Sequence, residues 1–412
     1  MIPAESVLTT LKPSEMEAVL FLQDASAHEK RPTIAGVSLE ERALRILLRG
    51  GFSQVTVVGG ERPNQWLRLE KNEKIRMLDA WTQGTRPALL IRADTGFERS
   101  FPAKVATHPT SAPATIYRND DSELAVVLNP GPRPQPTRVR DFENLVKGLR
   151  AKGAEARGLD PNWICEIVES STQARQFHLR IEKTIIKATD DMFARWNRRM
   201  SVPLSRALAQ LPITPNQVTF FTLFVALLGA YYLSRGAYWP MLVGALLTQL
   251  SSILDGNDGE LARLKIQDSD FGTWLDTLCD YVSYFVTFGA LGWGLYTRTS
   301  EAYYLILVGV FFAGLAIAMP LLAYFRQNHT RGEAGSFKQK VKKTLEIEEK
   351  QNIWSYISAR MHHFATRATF SYFVLILGLL DGWSVLLHLA AIGSHIYWMA
   401  IVYHARVLKE DI

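Results

Sequence analysis

Two pairs of aspartates stand inside stretches of this chain that are otherwise apolar. Asp255 and Asp258 are three residues apart and Asp276 and Asp280 four, in the string DGNDGELARLKIQDSDFGTWLDTLCD. At either spacing a helix puts both carboxylates of a pair on one face. Ionisable groups within a membrane-length apolar helix are costly, and their default reading is functional. The short link Lys265–Phe271 predicts an antiparallel hairpin in which the two acidic stripes face each other. Four converging carboxylates repel unless a cation neutralises them, and an all-oxygen donor set favours Mg²⁺ or Mn²⁺ over Zn²⁺. The residues between the pairs suit a phosphate ligand. Gly259 and Gly272 permit close approach, Ala262 keeps a wall small, and Arg263 offers a planar fork.

Such a hairpin needs a membrane domain around it. The mean hydropathy of the chain is near zero, but that average joins two unlike halves of a 412-residue sequence. Residues 1–180 are charged and Pro-rich, whereas 217–405 hold long apolar runs. Six spans are expected at 217–234, 238–264, 272–296, 302–325, 368–381 and 384–405, each judged against the roughly 20 residues a bilayer requires. The link 326–367 carries nine Lys and Arg, while the opposite connections carry only Arg235 and Arg298. By the positive-inside rule that link faces the cytoplasm, and an even number of spans returns the C-terminus there. The opening MIPAESVLTTLKPSEME lacks a basic segment followed by an apolar run, which predicts no secretory signal and a cytoplasmic N-terminal domain.

Between the halves, 187–212 reads as a basic amphipathic helix lying on the membrane surface, with Phe193, Trp196, Met200, Leu204 and Leu208 on one period and arginines between. An ordinary surface helix of the soluble half is the alternative. A net charge of +6 suits nucleic acid and anionic lipid equally, but its placement along a membrane surface favours lipid, and no nucleic-acid partner is expected. The two cysteines, Cys165 and Cys279, lie in different halves and support neither a disulfide framework nor a zinc site.

The pattern Asp-x2-Asp-Gly-x2-Ala-Arg-x8-Gly-x3-Asp-x3-Asp resembles the signature of the CDP-alcohol phosphotransferases at all eight fixed positions: Asp255, Asp258, Gly259, Ala262, Arg263, Gly272, Asp276 and Asp280. At ordinary residue usage this spacing arises by accident on the order of 10⁻¹⁰ per window. The resemblance covers about 187–405 and implies an all-α six-helix membrane domain (213–412). It also implies transfer of a substituted phosphate from a CDP-linked donor to an alcohol, with release of CMP. It assigns Asp255, Asp258 and Asp276 as main metal ligands, with Asp280 contributing and serving as candidate base. Gly259, Ala262, Arg263 and Gly272 match positions around CDP. The opening Thr214-Pro215-Asn216-Gln217-Val218-Thr219 resembles the start of the family's first helix and adds Asn216 and Thr219 as nucleotide candidates. Some family members bind a phosphorylated acceptor in a basic pocket. Arg195, Arg326, Arg331 and Arg367 lie where that pocket is expected, although positive-inside topology also accounts for them. Donors of the CDP-diacylglycerol or CDP-inositol type, an alcohol or alcohol-phosphate acceptor and a homodimer are consistent with the resemblance.

The soluble half (1–180) predicts a three-layer α/β domain. Strands are expected at Ala18–Leu22, Val55–Val58, Ala88–Ile91 and Leu124–Leu128, and helices at Leu39–Leu48 and Phe142–Lys152. Ser38–Gly60 resembles a β-α unit of sugar-nucleotide and cytidylyl transferases, such as are fused to inositol-phosphate relatives. The position of their Gly-rich phosphate loop reads Gln23–Arg31 here and holds no glycine. Without it, backbone amides cannot cradle a triphosphate in the same way, and the domain reads as a degenerate relative. The alternative is a bifunctional chain that also makes the CDP donor. A rival of another class, a divalent-metal or ion transporter, explains the aspartates but not the glycines, alanine and arginine at fixed spacing.

Overall fold

The computed structural model describes residues 11–22, 32–59, 72–82, 86–108, 112–119, 122–129, 138–185, 192–330 and 366–410. The chain divides into two compact units, Met1–Ile185 with Leu264–Ile266, and Ile186–Arg263 with Gln267–Ile412.

The first unit is built on a seven-stranded sheet. Its strands are β1 (Glu17–Phe21), β2 (Gln54–Val58), β3 (Ile75–Leu78), β4 (Ala88–Arg92), β5 (Ala114–Asn119), β6 (Ser122–Leu128) and β7 (Glu155–Gly158). The spatial order is β7-β5-β6-β4-β1-β2-β3. β6 runs antiparallel to both its neighbours, and every other pairing is parallel. Successive side chains of the central strands alternate between two cores. Ala18, Leu20, Val55, Val57, Leu89 and Ile91 enter one; Val19, Phe21, Val58, Ala88 and Leu90 enter the other. Strands buried on both faces read as continuous apolar runs rather than as alternation, which is why the sequence marks these so clearly.

Helices α1 (Leu39–Arg49) and α2 (Phe101–Thr107) cover the first face, and α3 (Phe142–Ala151) the second. Ser38 caps α1 by accepting from the Glu41 amide at 3.3 Å, and Asp141 caps α3 by accepting from the Glu143 amide at 3.1 Å. The unit is thus three-layered and rich in parallel pairing. It ends with α4 (Ser171–Ile185).

The second unit is helical. It comprises α5 (Met192–Ala209), α6 (Pro215–Leu233), α7 (Tyr238–Lys265), α8 (Asp270–Thr299), α9 (Tyr303–Thr330), α10 (Arg367–Leu379) and α11 (Trp383–Glu410). Thr214 and Gln217 form a capping box at the start of α6: the Thr214 amide donates to Gln217 at 2.9 Å, and the Gln217 amide to Thr214 at 3.4 Å. Pro215 occupies the first helical turn, where its missing N–H costs nothing. Ser269 starts α8 by accepting from the Gly272 amide at 3.0 Å.

Helices α6 to α11 occupy the six stretches expected to span. Among the described residues three are long and apolar enough to cross a membrane: Pro215–Leu233, Tyr303–Leu321 and Trp383–Val402. The carboxylates of α7 and α8 lower their hydropathy, and α10 has only 13 residues, ending at Leu379 rather than 381. The interior of the unit packs Leu233, Met241, Phe288, Leu291, Trp383 and Leu387 together. Phe220, Phe221 and Phe224 of α6 and Leu389 and Ile392 of α11 point outward, as lipid-facing side chains do. Where α6 meets α7, a Cβ on Gly229 would stand 3.2 Å from the Gly244 carbonyl, so small residues set the distance between these helices.

Candidate active site

Asp255 sits on α7, and Asp276 and Asp280 on α8. One carboxylate oxygen from each lies within 4.8 Å of the others. All three side chains are half-buried. Three carboxylates this close need positive charge among them, and Arg367, at the start of α10, supplies it. Its Nη1 donates to Asp255 Oδ1 at 2.6 Å and also to Asp280 Oδ1, while Nη2 donates to Ser251 Oγ at 2.7 Å. Ser251 precedes Asp255 by one helical turn, so it lies on the same face of α7.

Asp258 is held differently. It is buried, and its Oδ2 accepts from Thr219 Oγ1 of α6 at 2.6 Å; its Oδ1 accepts from the Gly259 amide. The donor of that first bond is one turn beyond Pro215, so the capping box at Thr214 fixes the helix start that aims it. Asn216, one turn earlier on α6, reaches α8: a Cβ on Gly272 would stand 3.2 Å from its Oδ1. A Cβ on Gly259 would stand 3.3 Å from Arg263 Nη1, so both glycines face polar groups at close range. Ala262 and Arg263 are half-buried on α7.

The expected acceptor-site arginines are scattered. Arg195 is exposed on α5, the backbone of Arg326 continues α9, and Arg331 lies outside the described residues, as do Gln23–Arg31 and Lys338–Lys343. Arg367 is the one placed among the aspartates, where it meets carboxylates rather than open solvent. A small cavity adjoins Arg367, lined by Ala226, Thr248, Ser251, Ser283, Tyr284, Thr287, Phe370 and Ser371. Reading by motif missed Ser251 and Tyr284. Their only signal is a four-residue offset, Ser251 before Asp255 and Tyr284 after Asp280.

The donor chemistry fits a hard divalent cation. Three carboxylates from two helices offer oxygen alone, and a guanidinium already bridges two of them, so the cluster accepts positive charge at that point. Asp255, Asp276 and Asp280 could hold such an ion, with Asp258 one turn along α7.

Residues 212–402 match the CDP-alcohol phosphatidyltransferase family. Among curated relatives, the bifunctional IPC transferase and DIPP synthase of Thermococcus kodakarensis is 35% identical over 224 residues, which is 53% of this chain and 45% of that protein. The protein of the same name from Aquifex aeolicus is 38% identical over 105 residues, 25% of this chain and 23% of its own length. The phosphatidylinositol phosphate synthase of Corynebacterium glutamicum is 27% identical over 135 residues, covering 33% of this chain and 58% of that protein. The chain spans less than half the length of the first curated relatives it matches. A crystal structure of Mycobacterium tuberculosis phosphatidylinositol phosphate synthase with CDP-DAG bound aligns at 20% identity with a TM-score of 0.35, over 50% of this chain and 93% of that one. The four aspartates lie within the stretch, residues 212–402, that matches the CDP-alcohol phosphatidyltransferase family.

Proposed function

We propose that this chain is an integral-membrane CDP-alcohol phosphotransferase. It moves a substituted phosphate group from a CDP-linked donor to an alcohol and releases CMP. The observation that carries the reading is the convergence of Asp255, Asp276 and Asp280, beside a buried Asp258 oriented from α6. Mg²⁺ or Mn²⁺, held by these aspartates, supplies positive charge against the donor pyrophosphate when bound.

The chain's own residues do the rest. Thr219 fixes the rotamer of Asp258, and Asn216, Gly259, Ala262, Arg263 and Gly272 form the walls around the nucleotide. Asp280 accepts the proton of the acceptor hydroxyl as its oxygen bonds to the donor's distal phosphorus. The bond from that phosphorus to the bridging oxygen breaks, and the electron pair leaves with CMP. Arg367 must release Asp280 for this, which frees a guanidinium beside the acceptor. The names of the relatives point to inositol-phospholipid synthesis, with a lipid on one substrate and an inositol phosphate as the polar partner.

In this reading α6 to α11 are six spans. The site, the first unit and the C-terminus share the cytoplasmic side, and α5 lies along that surface. The first unit is a nucleotidyltransferase-like domain without activity of its own. Purified protein given Mg²⁺, a CDP-alcohol and a panel of acceptors should release CMP only with the correct acceptor. Asp280→Asn should abolish turnover and keep donor binding; full activity in that variant would remove Asp280 as the base.

A further inference from the structure

A second polar stripe runs along α7, apart from the one that carries Ser251, Asp255 and Asp258. Gln249, Ser252, Gly256 and Glu260 recur at three- and four-residue steps and face α5. From α5, Asn197, Ser201 and Ser205 meet them at four-residue steps, all three buried. Asn197 Nδ2 donates to Ser252 Oγ at 3.2 Å, and Gln249 Nε2 donates to Asn197 Oδ1 at 3.2 Å. Ser205 Oγ donates to Asn257 Oδ1 at 3.2 Å. The centre is Glu260, whose side chain is 1% exposed. Its Oε1 accepts from Arg198 Nη1 at 2.5 Å and from Ser201 Oγ at 2.7 Å.

Gly256 completes the arrangement. Its carbonyl accepts from Arg198 Nη1 at 3.2 Å, and a Cβ there would stand 2.9 Å from the same nitrogen. The glycine next to Asp255 therefore opens the groove through which Arg198 crosses α7 to reach Glu260. A helix that only rested on a membrane surface needs an apolar stripe and no such ladder. Here a buried charge pair costs desolvation, and what it returns is a fixed register between two helices.

We infer that Arg198, Gly256 and Glu260 form a clasp by which α5 holds α7 in register, and that they are positioning residues for Asp255 and Asp258. The inference rests on the transferase reading, because it assigns the clasp to that site.

The test uses the full chain in detergent, with Mn²⁺ affinity by electron paramagnetic resonance, kcat, KM and thermal unfolding as readouts. Glu260→Ala should weaken Mn²⁺ binding and lower kcat by about tenfold each, with KM for the acceptor little changed, as for other residues that orient ligands without touching substrate. Glu260→Gln keeps an oxygen for Arg198 and Ser201 and should recover most of both. Gly256→Ala, whose Cβ would stand 2.9 Å from Arg198 Nη1 and push it off the Gly256 carbonyl, should lower kcat and Mn²⁺ affinity together.

If Glu260→Ala does not fold, the double variant Arg198→Met with Glu260→Met removes both charges together and replaces it as the probe. It should fold and still bind Mn²⁺ weakly. Wild-type Mn²⁺ affinity and kcat in a folded Glu260→Ala or double variant would overturn the clasp. A wild-type protein that neither binds Mn²⁺ nor releases CMP would instead overturn the transferase reading, and the clasp's catalytic role with it.

Discussion

At the scale of single residues, the site is held by two side chains that reach in from elsewhere, Arg367 and Thr219. The Arg367 side chain is 13% exposed and its partners Asp255 and Asp280 are 26% and 30% exposed. Solvent therefore screens the pair in part, and its loss falls between the surface and buried limits, about 2 kcal/mol. Arg367→Gln should lower the melting temperature in EDTA, and Mg²⁺ should restore more of it than in the wild type, because the ion no longer competes with a guanidinium. An equal Mg²⁺ response in both proteins would show that Arg367 and the ion do not share Asp255 and Asp280. Thr219→Val removes a hydrogen bond to a carboxylate, on the order of 1.5–3 kcal/mol. It should cut CMP release at least about tenfold, with Thr219→Ser retaining most of the rate. The facing of Asp255 toward Asp276 and Asp280 was legible from spacing, because a helix converts spacing into facing. The partnership of Arg367 with Asp255 was not, since 112 residues separate them and no local pattern encodes such a contact. Arg367 was one of four arginines weighed for an acceptor pocket against simple positive-inside topology; the structure places it on Asp255 and Asp280.

At the scale of elements, legibility followed burial only in part, since β5 has four buried residues and was not read as a strand. β1, β2, β4 and β6 are buried on both faces and stood out as apolar runs, whereas β3 and β7 are the sheet edges. β7, EARG, is almost wholly exposed and has no apolar residue beyond Ala156. Nothing in such a segment distinguishes a strand from a loop until its neighbour is known. The helices of the second unit were legible through length and apolarity, but the polar ladder between α5 and α7 was not, because its serines and asparagine look like surface residues. At the far end of α8, Arg298 pairs with Asp381, in the turn between α10 and α11, through two hydrogen bonds of 2.6 and 2.7 Å. The hydrogen bond from Arg298 holds the Asp381 carboxyl below its usual range. A carboxyl with a depressed folded value contributes stability above its unfolded value of about 4 and loses it as pH falls through the folded one. The pair is exposed, so the contribution is within about 1 kcal/mol. The melting temperature of Asp381→Asn should fall slightly below that of the wild type at pH 7, and the gap should close below about pH 4. A gap that persisted in acid would have to come from the turn itself.

At the scale of the whole molecule, the question is whether the first unit makes a substrate for the second. Its sheet sets one antiparallel strand in an otherwise parallel arrangement. By the resemblance to nucleotidyl transferases, Asp94, just past β4, is the one residue that could stand where those enzymes place a metal-binding aspartate. Both oxygens of that carboxylate are already engaged by one guanidinium: Arg92 Nε donates to Oδ1 at 3.0 Å and Nη2 to Oδ2 at 2.6 Å. Arg92 also lies 3.7 Å from Glu143. Burial pulls Arg92 toward losing its proton, but the hydrogen bonds and charge of Asp94 outweigh that and leave its pKa raised, so it stays cationic. A bidentate pair of this kind is short, directional and well matched, and a divalent ion would have to displace it without the glycine-rich phosphate loop that the sequence also lacks. The full chain incubated with CTP, Mg²⁺ and an inositol phosphate should therefore release no pyrophosphate, while still releasing CMP from a CDP-alcohol supplied in the assay. Arg92→Gln should leave the first result unchanged, because freeing Asp94 restores one ligand but no cradle for the triphosphate. Pyrophosphate release by the unaltered chain would mean that Asp94 exchanges its partner as readily as Asp280 is proposed to do, and the chain would then make its own donor.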